Sequence, residues 1–331
     1  MKKRIPSWDE FSNHERSQTD YPMQILMRGT IGLTSKAEKF TKKLMNRLYR
    51  DYIRLVLILG KQSYRENPPP YRDNKIDKSL PILNFTSHNH SALVDASKIF
   101  NKIDDYAIAA DKTVLAKEFK DSDFIPKTVF DIKNIKDLQL PIIAKPCNGH
   151  SAIGIEKFES YDDAQNSKLE FDLWSECKDI DREFRAFVID DEIVHITERL
   201  TNSNNDASVG VKDPDEKIDL VYIDQEMDSF PYMKDIIEIK NELQKKVNLD
   251  FYCIDLILDK DEKMWVPEIN GAPGIGPSIF CAVYPSFVKM AYSKELSDDV
   301  INDLNKIKDE YYKNMRKTYP TEYKNSLAPK K

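Results

Sequence analysis

Two segments decide the reading of this chain: Cys253-Ile254-Asp255-Leu256-Ile257-Leu258 and Val266-Pro267-Glu268-Ile269-Asn270-Gly271-Ala272-Pro273. Each reads as a strand, and the charged stretch Asp259-Lys260-Asp261-Glu262-Lys263 between them reads as the turn of a hairpin. Asp255 is a lone carboxylate in an apolar strand, where desolvation is expensive unless a cation or hydrogen bonds compensate it. Glu268 and Asn270 are two residues apart, so on a strand their side chains share a face. A hairpin can bring the three oxygen donors together, and hard oxygen donors suit Mg2+. The same pattern also fits an exposed strand face carrying ordinary charges.

Towards the N-terminus, Ile236, Ile239, Leu243 and Val247 have helical spacing. Residues 184–196 alternate as a second hairpin that turns at Asp190-Asp191. Its first strand carries Arg182-Glu183-Phe184-Arg185-Ala186-Phe187-Val188, and Arg199 lies near its far end. Two such arginines can hold carboxylate or phosphoryl oxygens bidentately, and surface arginines on a sheet would look the same. Further upstream, Leu140-Pro141-Ile142-Ile143-Ala144-Lys145-Pro146 is a strand closed by a lysine and a proline. The polar loop 147–154 and a return strand, Ile155-Glu156-Lys157-Phe158, follow it. A lysine at a strand end beside exposed backbone N–H groups is a phosphate-binding arrangement. The loop is neither a Walker A sequence nor a GxGxxG fingerprint, and a plain hairpin loop accounts for it equally well. Ser160 and Asp163 form a capping box that opens a short helix. Asp111 opens another, Asp111-Lys112-Thr113-Val114-Leu115-Ala116-Lys117-Glu118-Phe119, with Val114, Leu115 and Phe119 as its apolar positions.

The outer parts of the chain are plainer. Residues 1–34 show weak periodicity and are expected to wrap the surface. Ser35 can cap a helix with Ala37, Phe40, Leu44 and Leu48 on one face. The apolar run 55–59 and the segment 81–85 read as strands on either side of the proline loop 67–71, which suggests a small α/β domain up to about residue 105. Leu304, Ile307, Tyr311 and Met315 mark a last amphipathic helix, and the basic residues from 313 to 331 read as a solvated terminus. His88 and His90 form an HxH without an evident third ligand and read as loop or domain-interface residues. His195, alternating within a hairpin, reads as a packing residue.

With 40% apolar and 32% charged residues, the composition is that of a soluble globular protein and not of a disordered one. No apolar run approaches the ~18 residues of a membrane span, and the basic start Met1-Lys2-Lys3-Arg4 lacks the apolar stretch of a secretory leader. Cys147, Cys177, Cys253 and Cys281 are far apart, so neither a zinc site nor a disulfide frame is expected, and a cytoplasmic location is. The net charge of −6 argues against a general nucleic-acid binder. Nine glycines serve the whole chain, so their clustering at Gly149 and Gly154, and at Gly271, Gly274 and Gly276, singles out those two loops.

The order of these features over residues 111–275 resembles the ATP-grasp enzymes: strand-Lys-Pro, small-residue loop, hinge with Glu, arginine hairpin, helix, strand with Asp, then Glu-x-Asn and a glycine loop. The ending Glu268-Ile269-Asn270-Gly271-Ala272-Pro273-Gly274 is similar to RimK-like and glutathione-synthetase-like carboxylate–amine ligases. The resemblance implies an α/β (α+β) fold in which two α+β subdomains grip ATP, preceded by a small α/β N-terminal domain. The implied division is 1–105 for that domain and 106–285 for the core, with the central subdomain at about 111–180 and the metal-binding one at about 181–285. Residues 286–331 then form a C-terminal helix and basic tail. The resemblance further implies ATP contacts by Lys112 and Lys145, and a flexible phosphate loop with Gly149, Ser151 and Gly154. It places an adenine hinge at Glu176 and Cys177 and a ribose contact at Asp181 or Glu183. Two Mg2+ ions (with Mn2+ as an alternative) would sit on Asp255, Glu268 and Asn270, and Arg185 and Arg199 would stabilise the transferring group. The implied activity is ADP-forming ligation of a small-molecule or peptide carboxylate to an amine through an acylphosphate. No membrane or nucleic-acid partner is expected. A small-molecule kinase on the same fold and a non-catalytic ATP-binding protein are the alternatives. Two departures stand out: the hinge reads Trp174-Ser175-Glu176-Cys177 where relatives often have Gln-Glu followed by an aromatic and an aliphatic residue, and His150 and Ala152 stand where many have Gly or Ser.

Overall fold

In the computed structural model, the described residues are 23–28, 44, 47, 53–59, 77–85, 96, 98–147, 154–201, 218–223, 230–273, 277–292, 295–318 and 320. The N-terminal sheet is parallel: β1 (Met23–Arg28), β2 (Ile53–Leu59), β3 (Ile82–Phe85) and β4 (Ile99–Phe100) lie in the order β2-β1-β3-β4. Parallel strands are commonly covered on both faces and read as apolar runs, as 55–59 does, with Arg54 and Asn84 the polar residues of β2 and β3. The finding corrects one expectation. Residues 23–28 do not wrap the surface but form an inner strand, with Met23 fully buried. Their sequence, MQILMR, is short and polar at positions 24 and 28, which hides it from a periodicity search. The helix expected over 35–48 lies outside the described residues except for Leu44 and Arg47, both helical. Leu44 is buried, and Arg47 pairs with Asp303 far along the chain.

A 3-10 turn (Ile103–Tyr106) and one helical turn (Ala107–Ala110) lead into α1 (Lys112–Glu118). Asp111 caps α1, its carboxylate accepting the Thr113 N–H at 2.7 Å, which satisfies one of the donors a helix start leaves open. Then β5 (Thr128–Val129), β6 (Ile142–Lys145), β7 (Glu156–Phe158) and β8 (Leu173–Glu176) build an antiparallel sheet in the order β5-β8-β6-β7. Between β7 and β8, α2 (Tyr161–Gln165) opens with the expected capping box: Asp163 N–H donates to Ser160 Oγ at 3.1 Å, and Ser160 Oγ reaches the Asp163 carboxylate at 2.6 Å. Ile135, Leu138, Ile142, Ala144, Phe158, Ala164 and Trp174 form this sheet's own core.

The largest sheet consists of β9 (Ile180–Ile189), β10 (Glu192–Thr201), β11 (Ile218–Ile223), β12 (Phe251–Asp259) and β13 (Met264–Asn270), ordered β11-β10-β9-β12-β13. Asp190 and Asp191 both have positive φ, 51° and 64°, the pairing a two-residue type I′ hairpin turn requires. Side chains alternate along these strands. Phe184, Ala186, Val188, Tyr252, Ile254 and Leu256 occupy one face. They pack against α3 (Met233–Gln244) through Ile236, Ile239 and Leu243, with Val247 just beyond, as the helical spacing predicts. Each such burial contributes about 1.5–3 kcal/mol.

The opposite face is divided. One end, with Phe187, Phe251 and Cys253, is covered by α4 (Pro277–Tyr292) and α5 (Asp298–Thr318). The other end carries the charged residues described below. α5 buries Leu304, Ile307, Tyr311 and Met315, as their spacing predicts, and also Tyr312. The sequence reading leaves α4 unmarked. A helix covered nearly all round has no polar stripe, and Ile279, Cys281, Ala282, Val283, Tyr284 and Phe287 are all buried. The expected boundary after residue 285 falls inside this helix. Among the described residues no helix is long and apolar enough to cross a membrane.

Candidate active site

Strand register places the charged side chains. Arg185 on β9 lies opposite Asp255 on β12, and Asp255 lies opposite Glu268 on β13. Directly opposite residues in antiparallel strands share a face, so these three form one row across the sheet. One row along, Glu183 faces Arg199; on the other side, Cys253 faces Asn270. Arg185 donates from Nε and Nη2 to the two Asp255 oxygens at 2.6 and 3.0 Å. Arg199 Nη1 reaches Glu183 Oε2 at 3.3 Å. Burial opposes the Arg185 charge, but Asp255 outweighs it, helped by Cys253 and Glu268, and the guanidinium is held firmly protonated. The sequence reading gives Arg185 and Asp255 separate tasks, whereas the fold makes them a bidentate pair.

Across from this row are the two lysines. Lys112 opens α1, and its Nζ lies 3.4 Å from Glu268 Oε1. Lys145 ends β6. Among the described residues its ammonium makes no ion pair or hydrogen bond. Burial lowers its pKa, the neighbouring Lys112 lowers it further, and Glu268 offsets part of the shift. Two adjacent cations, one of them without an ion-pair contact among the described residues, make a site that favours an anion. Beside them lies a narrow cleft of about 20 Å³, lined by Lys112, Lys145, Leu115, Ile125, Leu173 and Val266. Thr128 and Ser175, hydroxyl to hydroxyl at 2.8 Å, stand on its wall. No motif marks these two, because they meet only when β5 pairs with β8.

Residues 177–179 cross from β8 of the small sheet to β9 of the large one. Glu176, the last residue of β8, turns its carboxylate to Lys178 Nζ at 2.8 Å and accepts the Gln139 N–H at 3.3 Å. Cys177 N–H donates to the Pro141 carbonyl at 2.9 Å, and burial pushes its thiol pKa up. Lys178 also sits over the Trp265 ring, 4.1 Å from its centroid. Asp181 is half-buried at the start of β9. Gly154 adopts φ 77°, a conformation side chains rarely take. Gly149 and Ser151 lie outside the described residues, as do residues 202–206 and the pair His88 and His90. His195 is a core residue, its Nδ1 2.7 Å from the Tyr312 hydroxyl.

The donor chemistry fits a hard divalent cation. Asp255 and Glu268 supply carboxylates in one row and Asn270 an amide oxygen in the next. Mg2+ commonly takes a few protein oxygens and completes its shell with water and phosphate. Asn270 Oδ1 already accepts the Ala272 N–H at 3.0 Å, which leaves a second lone pair. Among the described residues no group of three or more His, Cys, Asp and Glu side chains could hold a metal ion, so the set has two carboxylates only.

A small antiparallel sheet and a larger one closing on a lysine-lined cleft, beside a parallel N-terminal sheet, constitute the ATP-grasp fold. Solved structures agree. The chain is similar to the VanG D-Ala:D-Ser ligase from Enterococcus faecalis at TM-score 0.55 and 14% identity, over 88% of this chain and 100% of that one. It is similar to N5-carboxyaminoimidazole synthetase from Staphylococcus aureus complexed with ADP at TM-score 0.52 and 10% identity, over 80% of this chain and 73% of that one. A third likeness is to the ATP-grasp ligase PsnB complexed with minimal precursor, at TM-score 0.50 and 11% identity, over 88% and 100%. No protein-family model matches the sequence, and no curated protein matches it at a significant level.

Proposed function

We propose that this chain is an ATP-dependent ligase that joins a carboxylate to an amine through an acylphosphate. The observation that carries the reading is the Lys145 ammonium, without an ion-pair partner among the described residues, beside Lys112 and across from the Asp255–Glu268 row. Apolar side chains beside two cations suit a nucleotide: with the narrow cleft opened, the base would lie against Leu115, Ile125, Leu173 and Val266, and the phosphates would meet Lys112 and Lys145. The resemblance adds the crossing at Glu176 and Cys177 for the adenine edge, Asp181 or Glu183 for the ribose, and Gly149, Ser151 and Gly154 over the phosphates. Asp255, Glu268 and Asn270 would hold Mg2+, which supplies charge neutralisation on the phosphates.

A carboxylate is a poor electrophile because its oxygen leaves badly. Transfer of the γ-phosphoryl group to it gives a better leaving group, and an amine then displaces phosphate. Lysines on the phosphates and arginines on the developing oxyanion do this by position and charge alone, without a nucleophilic side chain. Arg185 is paired with Asp255 and Arg199 with Glu183, so each guanidinium is held in place by a carboxylate. The region up to about residue 105 is proposed to supply the substrate side, residues 106–285 the nucleotide-binding core, and the remainder a C-terminal helix and tail.

The test is a phosphate-release screen of amino acids and peptides as acceptors, with mass spectrometry of the products. A ligase gives ADP, free phosphate and an amide in equal amounts. ADP with a phosphorylated acceptor and no free phosphate would make the protein a kinase, and tight ATP binding without turnover on any acceptor would make it a binding protein.

A further inference from the structure

Directly behind the end of β13, four segments meet in a buried polar junction. Asn101, just after β4, has φ 60°, a left-handed conformation that asparagine tolerates, and its side chain is fully buried. Its Nδ2 donates to the Phe251 carbonyl at 2.6 Å and to the Gly271 carbonyl at 3.0 Å, and its Oδ1 accepts the Phe251 N–H at 3.0 Å. Its own N–H donates to the Asp250 carboxylate at 2.6 Å. The Tyr106 hydroxyl lies 2.6 Å from the Asn84 carbonyl on β3 and 3.1 Å from the Gly271 carbonyl. A hydroxyl has one proton to give, so the shorter contact takes it and Asn101 supplies Gly271. Asn84 Nδ2 closes the circuit by donating to the Asn101 carbonyl at 3.1 Å. The fit is tight as well as polar: a Cβ added at Gly271 would come within 2.5 Å of the Tyr106 ring.

Gly271 follows Asn270, and the Asn270 side chain folds back onto the Ala272 N–H. The backbone that aims the Asn270 oxygen is therefore gripped from behind by residues of the N-terminal sheet and the turn before α1. We infer that Asn101 and Tyr106 are positioning residues, through which the N-terminal sheet sets the direction of the Asn270 and Glu268 oxygens facing the cleft. The inference deepens the proposed Mg2+–nucleotide site and rests on it.

Tyr106→Phe keeps the ring and removes the hydroxyl. Asn101→Gly keeps the left-handed backbone and removes the amide. For each variant, the affinity of Mn2+ for the ADP-bound protein is measured by electron paramagnetic resonance, and the affinity for ADP without metal is measured by calorimetry. Loss of the one buried hydrogen bond that Tyr106→Phe removes is expected to weaken Mn2+ binding roughly three- to ten-fold, and Asn101→Gly, which removes three, should weaken it at least as much. Metal-free ADP affinity should stay at the wild-type value, and hydrogen exchange should rise at Gly271 and Ala272. A variant that melts earlier but binds Mn2+ as wild type does would show a structural role only and overturn the inference. Equal weakening of Mn2+ and metal-free ADP would also overturn it. Wild-type protein that binds ADP but no Mn2+ would overturn the metal-site reading itself, and that result is read before any variant is made.

Discussion

The two faces of the five-stranded sheet are built from alternate residues of the same strands and obey different rules. On the α3 face, Phe184, Ala186, Ile254 and Leu256 are apolar and buried. The ion pair on that face, Arg182 with Glu198, is also buried and bidentate at 2.7 and 2.9 Å, with the guanidinium over the Phe184 and Tyr232 rings. On the cleft face, one residue along, Glu183 pairs with Arg199 at 3.3 Å, and Arg185 pairs with Asp255; all four are partly exposed. The pair against α3 has no solvent to fall back on and holds β9 to β10 as a structural bond. The cleft-face pairs keep access to solvent and can exchange partners with a ligand.

The largest effect expected from this contrast is on stability. Arg182→Met leaves Glu198 buried without its partner and should destabilise the fold by about 3–5 kcal/mol in urea unfolding, whereas Arg182→Met with Glu198→Leu should recover most of that loss. If the single variant unfolds like wild type, the α3-face pair is not structural.

Next comes the far end of the cleft face, where His195 sits under α5. Burial, with Lys308 adding to it, pushes its pKa down to about 3. A depressed histidine stays neutral in the fold while the unfolded chain takes up a proton below about pH 6.5, so stability falls as pH drops from about 6.5 to 3. At pH 4 the contribution is on the order of 3 kcal/mol. His195→Gln, which keeps a partner for the Tyr312 hydroxyl without titrating, should flatten that acid limb in thermal melts. An unchanged acid limb would assign it to carboxylates instead.

The smallest effect belongs to the partly exposed Glu183–Arg199 pair. Glu183→Gln should alter stability by about 1 kcal/mol or less. Its consequence should appear in the KM for ATP, measured by steady-state ADP formation. A large stability loss would mean that the two faces are alike after all.

The contrast also explains what the sequence revealed. Period-2 alternation marked β9 and β10 and helical spacing marked α3 and α5, while β12 and β13 were read as strands on either side of a charged turn. These patterns passed over β1, which is short and polar at positions 24 and 28, and α4, whose described residues are buried nearly all round. The candidate site was legible where chemistry is local: Asp255 in an apolar strand, Glu268 and Asn270 two apart, Lys145 closing β6. It was not legible where partners come from distant segments. The pairing of Arg185 with Asp255, of Lys112 with Glu268, and the Asn101–Tyr106–Gly271 junction depend on strand order and domain packing, which no spacing encodes.

The central claim is that the two lysines and the charged row form one Mg2+–nucleotide site. Calorimetric titration of ATP, with and without Mg2+, into wild type, Lys145→Met and Glu268→Gln tests it most directly. Lys145→Met should weaken ATP roughly 10- to 100-fold, as loss of a charge-assisted contact does, and Glu268→Gln should remove most of the Mg2+ dependence. Wild-type ATP affinity in Lys145→Met, or full Mg2+ dependence in Glu268→Gln, would contradict the account.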